Sequence, residues 1–129
     1  MGKLLEISNQ ITICIKDTTK ENLIDAFELV RLGNQWLIKN DEHSIQEIKG
    51  FLVLVKDIIM TYTYKREFDT HQVLADIEKE YVKMVLSKAN LLKNVDVKVY
   101  GSLINSAAQC AYFDKELQSK LDQLINELP

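Results

Sequence analysis

Residues 44–66 read SIQEIKGFLVLVKDIIMTYTYKR, and this stretch decides the fold. Its apolar residues recur at alternating steps of three and four, a spacing that places side chains on one face of an α-helix. The stripe consists of Ile45, Ile48, Leu52, Val55, Ile59 and Tyr62. Phe51, Leu54 and Ile58 widen it beyond half of the helix circumference. We therefore predict that this stretch is the central helix of a bundle, with neighbours on several sides.

Length and composition predict one helical domain. The chain has 129 residues, long enough for one hydrophobic core, so residues 1–129 are interpreted as a single helical domain. Only four glycines and one proline are present, and so few helix breakers are typical of long helices. We predict an all-α fold, an antiparallel bundle of four long helices plus a short N-terminal helix.

Two capping boxes mark predicted helix starts. Thr18 with Glu21 indicates the start of one long helix, and Ser44 with Glu47 indicates the start of the central helix. Gly33 lies inside the first of these two helices, where glycine weakens helix formation. We expect Gly33 to permit the close approach of a neighbouring helix, or a bend.

Two segments allow a strand as well as a helix. Residues 11–16 fit a helical face, but their isoleucines also alternate with polar residues as in a strand. Residues 95–99 read Val-Asp-Val-Lys-Val, an alternation that favours strand geometry. The two segments could pair as a small two-stranded ribbon. We favour helix for the first segment, because the rest of the chain is helical.

The last helix is predicted to open at Gly101 and Ser102, interpreted as a turn and a cap. Asp114 is expected to kink this helix or restart it. The first half of the helix is rich in small side chains, which allow another backbone to approach closely. These include Ala107, Ala108 and Ala111. One interpretation is therefore a homodimer through these alanines, which would make the chain a self-associating structural subunit.

Charge and motif content argue against several classes of function. The net charge of −3 argues against a nucleic-acid partner, because phosphate binding requires clustered lysine and arginine. The longest apolar run, Phe51 to Val55, is too short to span a membrane, and the start MGKLLEISNQ has no secretion-signal pattern. We therefore expect a cytoplasmic protein, with Cys14 and Cys110 as free, buried thiols. Metal-ligand spacings and phosphate-binding glycine loops are missing, so neither a metal nor a cofactor is predicted.

One short motif suggests an enzyme. Residues 66–71 read Arg-Glu-Phe-Asp-Thr-His, an Arg-x-x-x-x-His sequence between two predicted helices. This motif resembles the signature of the HEPN ribonucleases and related antiphage or toxin proteins. The resemblance implies a metal-independent ribonuclease acting as a dimer, in which Arg66 holds the phosphate and His71 moves the proton. The chain departs from the family pattern at two positions. The polar residue that usually follows the arginine is here Glu67, an acidic group poorly placed beside a phosphodiester, and the tyrosine often found two residues after the histidine is here Val73.

The end of the central helix carries the predicted binding residues Tyr64, Lys65 and Arg66. Aromatic and arginine side chains are enriched in binding surfaces. The acidic runs Asp76-Glu78-Glu80 and Asp114-Glu116-Asp122 are interpreted as solvated faces, and alternatively as an acidic surface that blocks a basic partner protein. The preferred interpretation is a small, acidic, intracellular protein-interaction module that docks on a partner, as immunity proteins, antitoxins and inhibitors do. The HEPN-like ribonuclease and the self-associating subunit are the alternatives.

Overall fold

The computed structural model describes residues 2–39, 44–65 and 71–128. Within these ranges there are six α-helices: α1 (Lys3–Cys14), α2 (Lys20–Lys39), α3 (Ile45–Lys65), α4 (His71–Lys88), α5 (Val97–Cys110) and α6 (Lys115–Asn126). Short 3-10 helices, Ala89–Leu92 and Ala111–Phe113, follow α4 and α5. The described residues contain no strand, so the all-α prediction is confirmed.

Residues 95–99 do not form the strand that their alternation suggested. Val97 begins α5, and the Asp96 carboxylate caps this helix by accepting a bond of 3.2 Å from the backbone N–H three residues later. Lys49 Nζ of α3 also lies 2.7 Å from the Asp96 carboxylate. Gly101 therefore lies inside α5 and does not open it. Here the cap and the contact with α3 outweigh the strand preference of β-branched residues.

The segment predicted as one final helix consists of two helices. α5 ends at Cys110, a 3-10 turn follows, and α6 restarts after Asp114. The Asp114 carboxylate accepts bonds from the backbone amides of Glu116 at 3.0 Å and Leu117 at 3.2 Å. The restart expected at Asp114 is thus confirmed. The described chain has one α-helix more than the predicted four long helices plus one.

A threonine hydroxyl caps α2 and a serine hydroxyl caps α3. Ser44 Oγ accepts a bond of 3.1 Å from the Glu47 N–H, which confirms the predicted start of α3. Thr19 Oγ1 accepts a bond of 3.1 Å from the Asn22 N–H. The N-cap of α2 is therefore one residue later than the predicted Thr18.

Contacts between helix ends show the relative directions of α1, α2 and α3. Tyr62 near the end of α3 donates a hydrogen bond of 3.0 Å to the Thr19 carbonyl, just before α2. At the other end, Glu47 of α3 lies beside Gly2, just before α1. α1 and α3 therefore run side by side in the same direction, and α2 packs on α1 and runs antiparallel to both.

The remaining helices complete the packing around α3 and α4. α1 packs on α2 and α3, α2 packs on α4, and α4 packs on α3, so these four helices form a ring in the order α1, α2, α4, α3. α5 covers α3 and α4, and α6 packs on α5. This arrangement leaves a groove where α3, α4 and α5 meet.

The buried side chains confirm the stripe predicted for α3. Ile48, Leu52, Val55, Ile59 and Tyr62 are all buried, whereas Ile45 at the first position of the helix is exposed. α4 is buried to a similar extent, so the two helices share the central position. Its buried residues are Ile77, Tyr81, Val82, Met84 and Val85. In the described ranges, none of the helices has the length and apolar content needed to cross a membrane.

Candidate functional site

The groove between α3, α4 and α5 has a volume of about 530 Å³ and is called here the three-helix groove. A second, more open groove of about 310 Å³ lies between α1 and α3. The lining of the three-helix groove includes Lys56, Ile59, Met60 and Tyr64 of α3, Glu78 and Tyr81 of α4, and Ser106 and Cys110 of α5. An apolar wall with a few convergent polar groups is typical of binding sites. The three-helix groove is therefore the candidate site.

A buried tyrosine forms the floor of the groove. Tyr81 is fully buried, and its hydroxyl lies 2.6 Å from Ser106 Oγ. The Leu103 carbonyl lies 3.0 Å from Ser106 Oγ and 3.4 Å from the Tyr81 hydroxyl, so it can accept a bond from either group. Burial raises the pKa of the Tyr81 hydroxyl well above its usual range, which keeps it protonated. This pair joins α4 to α5 and makes the floor rigid.

Glu78 is the anionic group of the groove. Its Oε1 accepts a hydrogen bond of 3.3 Å from the Tyr112 hydroxyl, and the Cys110 thiol lies beside the carboxyl group. Partial burial raises the pKa of Glu78 above 4.5, its ordinary value, although the neighbouring thiol and hydroxyl both oppose this shift. No cationic side chain of the described residues forms an ion pair with Glu78. The carboxylate is thus held by neutral donors only.

The raised pKa of Glu78 predicts an effect on stability. Since the folded-state pKa lies above the unfolded one, ionisation of Glu78 opposes folding, and stability falls as pH rises through the folded pKa. We expect Glu78→Gln, which keeps the acceptor oxygen, to be more stable than the wild type at neutral pH. The difference should disappear well below pH 4.5, where the carboxyl group is neutral in both states. Urea denaturation at both pH values measures this.

A matched control for this measurement is Glu28→Gln. Glu28 is exposed on α2, 3.5 Å from Arg31, and should give no gain in stability at either pH. A Glu78→Gln variant that is less stable than the wild type at neutral pH would show that the folded chain stabilises the ionised carboxylate.

Cys110 is poorly suited to act as a nucleophile. Burial first, and then the neighbouring Glu78, raise the pKa of the Cys110 thiol to about 12. Because the thiolate is the reactive form, this thiol is inert at neutral pH. Cys110 is free and buried as predicted, whereas Cys14 is free but only half-buried, which corrects the prediction for that residue. Cys14 Sγ donates to the Asn22 carbonyl at 3.2 Å.

The two cysteines should therefore react with a thiol reagent at different rates. We expect Cys14 to be labelled at least about tenfold faster than Cys110 in the folded protein, because Cys110 is more buried and less ionised. Mass spectrometry of labelled Cys14→Ser and Cys110→Ser variants assigns each rate. Both thiols should react quickly in denaturant, and faster labelling of Cys110 in the native state would contradict the described burial.

The structure places one predicted binding residue, Tyr64, at the mouth of the groove, where its side chain is 80% exposed. Lys65 is the last residue of α3, but its side chain and the whole of Arg66 lie outside the described residues. Sequence reasoning missed Glu78 and Tyr112. Glu78 belongs to an acidic run interpreted as a solvated face, and its partners come from distant parts of the chain.

The two alternative functions stay predictions. His71 is the first residue of α4, but its side chain and Arg66 lie outside the described residues, so the geometry of the HEPN-like pair is not defined. The alanines predicted to contact a second copy are buried in the core of the chain itself, and they allow close packing there. They are Ala107, Ala108 and Ala111. In this conformation their side chains are covered.

Metal binding and known relatives give no further guide. Within residues 2–39, 44–65 and 71–128, no group of three or more His, Cys, Asp or Glu side chains could hold a metal ion. Comparisons with protein-family models, with curated proteins and with solved structures found no match for this chain. The proposed function therefore rests on the groove.

Proposed function

We propose that this chain is a small cytoplasmic protein-interaction module that docks a partner protein in the three-helix groove. The observation that supports this most is the group of exposed side chains at the mouth of the groove. Tyr64 is 80% exposed and Met60 is 44% exposed, and both line the groove. Tyr112 is 62% exposed and reaches the groove through its hydrogen bond to Glu78. Tyrosine and methionine beside a concave surface provide large contact areas, and such residues often dominate binding energy.

The chemistry of the groove favours binding over catalysis. The Cys110 thiol and the Tyr81 phenol are both held in their neutral forms by burial. Ser106 bonds to Tyr81 and to a backbone carbonyl, so no general base activates its hydroxyl. A module of this kind acts by covering a surface of its partner, in the manner of an inhibitor, an immunity protein or an antitoxin.

The groove fits one segment of a partner better than a broad flat surface. Ile59 and Met60 form an apolar wall, and the polar floor of Tyr81 and Ser106 is already hydrogen-bonded. An apolar side chain of the partner would lie against Ile59 and Met60 without leaving a polar group unsatisfied. The exposed rings of Tyr64 and Tyr112 would cover the edge of the contact and exclude water.

Site-specific photo-crosslinking tests this function. A photoreactive amino acid replaces Tyr64 in one variant and Gln35 in a control, since Gln35 is exposed on α2, away from the groove. Both variants are expressed in the native host, and the adducts are identified by mass spectrometry. We expect a defined adduct at position 64 that is missing at position 35.

A groove variant makes this test specific. Met60→Glu, added to the Tyr64 crosslinking variant, places a charge on the apolar wall at a half-exposed position and should leave the fold intact. It should remove the adduct at position 64. Adducts that are equal at both positions, or that persist with Met60→Glu, would overturn the proposed docking site.

A further inference from the structure

We propose that the three-helix groove binds a basic side chain of the partner protein, a lysine or an arginine, and that Glu78 is its anionic receptor. This inference rests on the proposed docking function and specifies the chemistry of the partner. It follows from the hydrogen bond of Glu78, from the absence of a counter-charge among the described residues, and from the position of Lys56.

The hydrogen bond from Tyr112 holds the Glu78 carboxylate in place and leaves part of it available. An ionised carboxylate offers about four acceptor positions on its two oxygens. The Tyr112 hydroxyl occupies one of them, and the Cys110 thiol lies beside the carboxyl group. Glu78 also lines the groove, so its remaining acceptor positions can serve a donor that enters from there. A lysine or arginine supplies such donors together with the missing positive charge.

The local electrostatics favour an external cation beside Glu78. Burial of the Glu78 carboxylate is unfavourable, as its raised pKa indicates, and a cation within hydrogen-bond distance would offset this cost. Lys79 is the next residue of α4, but its Nζ lies over the Phe113 ring, 5.7 Å from the centroid. Perturbed ionisable groups in a cleft are characteristic of functional sites.

Lys56 makes the two ends of the groove different in charge. Its Nζ donates a bond of 2.9 Å to Ser102 Oγ near the start of α5, whereas Glu78 lies beside Cys110 at the end of this helix. Ser102 and Cys110 lie about 12 Å apart along the helix axis, given a rise of about 1.5 Å per residue. Lys56 therefore does not neutralise Glu78. The basic side chain of the partner lies at the Cys110 end of the groove, and an acceptor group of the partner suits the Ser102 end.

Peptide selection tests the inference and does not require the partner to be identified first. A random peptide library displayed on phage is selected against the folded wild-type chain, and bound phage are counter-selected on the Met60→Glu variant. We expect the enriched peptides to share a lysine or arginine beside an apolar residue. Enrichment of peptides without a basic residue, or no enrichment at all, would overturn the inference.

Affinity measurements on one enriched peptide then assign the receptor. Fluorescence anisotropy should show binding at least about tenfold weaker to Glu78→Gln than to the wild type, and unchanged binding to the exposed control Glu28→Gln. Replacing the basic residue of the peptide with norleucine should weaken binding to the wild type by the same factor as Glu78→Gln does. The norleucine peptide should then bind the Glu78→Gln variant almost as well as it binds the wild type.

The outcomes separate this inference from the proposed function. A selected peptide could bind the Glu78→Gln variant as tightly as the wild type and yet fail to bind the Met60→Glu variant. That result would overturn the role of Glu78 and leave groove docking intact. Absence of a defined adduct at position 64 in a chain that keeps Met60 would overturn the docking function itself. Equal weakening by Glu78→Gln and Glu28→Gln would show a general charge effect and also contradict a specific receptor.

Discussion

Leu52→Ala is expected to lower the free energy of unfolding by about 2–5 kcal/mol. Leu52 lies in the first half of α3 and is fully buried in the core shared by α3 and α4. Truncation removes apolar contacts and leaves a cavity that the surrounding helices can fill only in part. Urea denaturation followed by circular dichroism measures the change, provided that the slope of the transition stays the same.

The matched control is Leu32→Ala on α2, where the same atoms are removed from a side chain that is 43% exposed. This change should cost about 1 kcal/mol or less, since part of the side chain already contacts water. Equal losses for Leu32→Ala and Leu52→Ala, or a loss below about 1 kcal/mol for Leu52→Ala, would mean that α3 is not central to the core.

Gly33→Ala is expected to destabilise the protein by about 1–3 kcal/mol, even though alanine favours helix formation. A Cβ atom at Gly33 would overlap the Phe51 ring, and this ring is fully buried. Because the ring is packed in the hydrophobic core, it could move only by displacing its neighbours; otherwise α2 and α3 would have to separate. Chemical denaturation of the variant measures the cost.

Gly50→Ala should have the opposite sign. A Cβ at Gly50 meets no atom within 4 Å, so this variant should be more stable by about 0.5–1 kcal/mol from helix propensity alone. Phe51→Leu should also cost less in the Gly33→Ala background than in the wild type, because the smaller side chain relieves the contact. Stabilisation by Gly33→Ala would contradict the close packing of α2 on α3.

The sequence was informative where one local signal acts without competition. The stripe of α3 follows from helical periodicity alone, and its members from Ile48 to Tyr62 are buried as predicted. Gly33 was expected to permit close approach of a helix, and the Phe51 ring packs directly against it. The Ser44 cap follows from the spacing of hydroxyl and acidic residues.

The sequence was less informative where two signals compete or where distant residues meet. Residues 95–99 alternate like a strand, but the Asp96 cap and its ion pair with Lys49 start a helix. That ion pair joins residues far apart in the chain, so no local pattern indicates it. α4 also lies centrally, with five buried apolar side chains, although only the α3 stretch was predicted to be central.

The candidate site contains one residue that could be predicted from the sequence and one that could not. Tyr64 could be selected from its residue type and its position at a helix end. Glu78 could not, because its environment depends on Cys110 and Tyr112, which reach it only when α5 packs on α4. Before folding, Glu78 is one of several acidic residues on a helix, and only burial in the groove distinguishes it from the others.

Glu78 is the residue on which the proposed partner chemistry depends, so titration of its carboxyl carbon by ¹³C NMR is the most direct test. In the free protein the pKa of Glu78 should lie above 4.5 because the carboxyl group is partly buried without a counter-charge among the described residues. Addition of a basic peptide selected on the groove should lower this pKa. A pKa at or below 4.5 in the free protein would contradict a desolvated, uncompensated carboxylate in the three-helix groove.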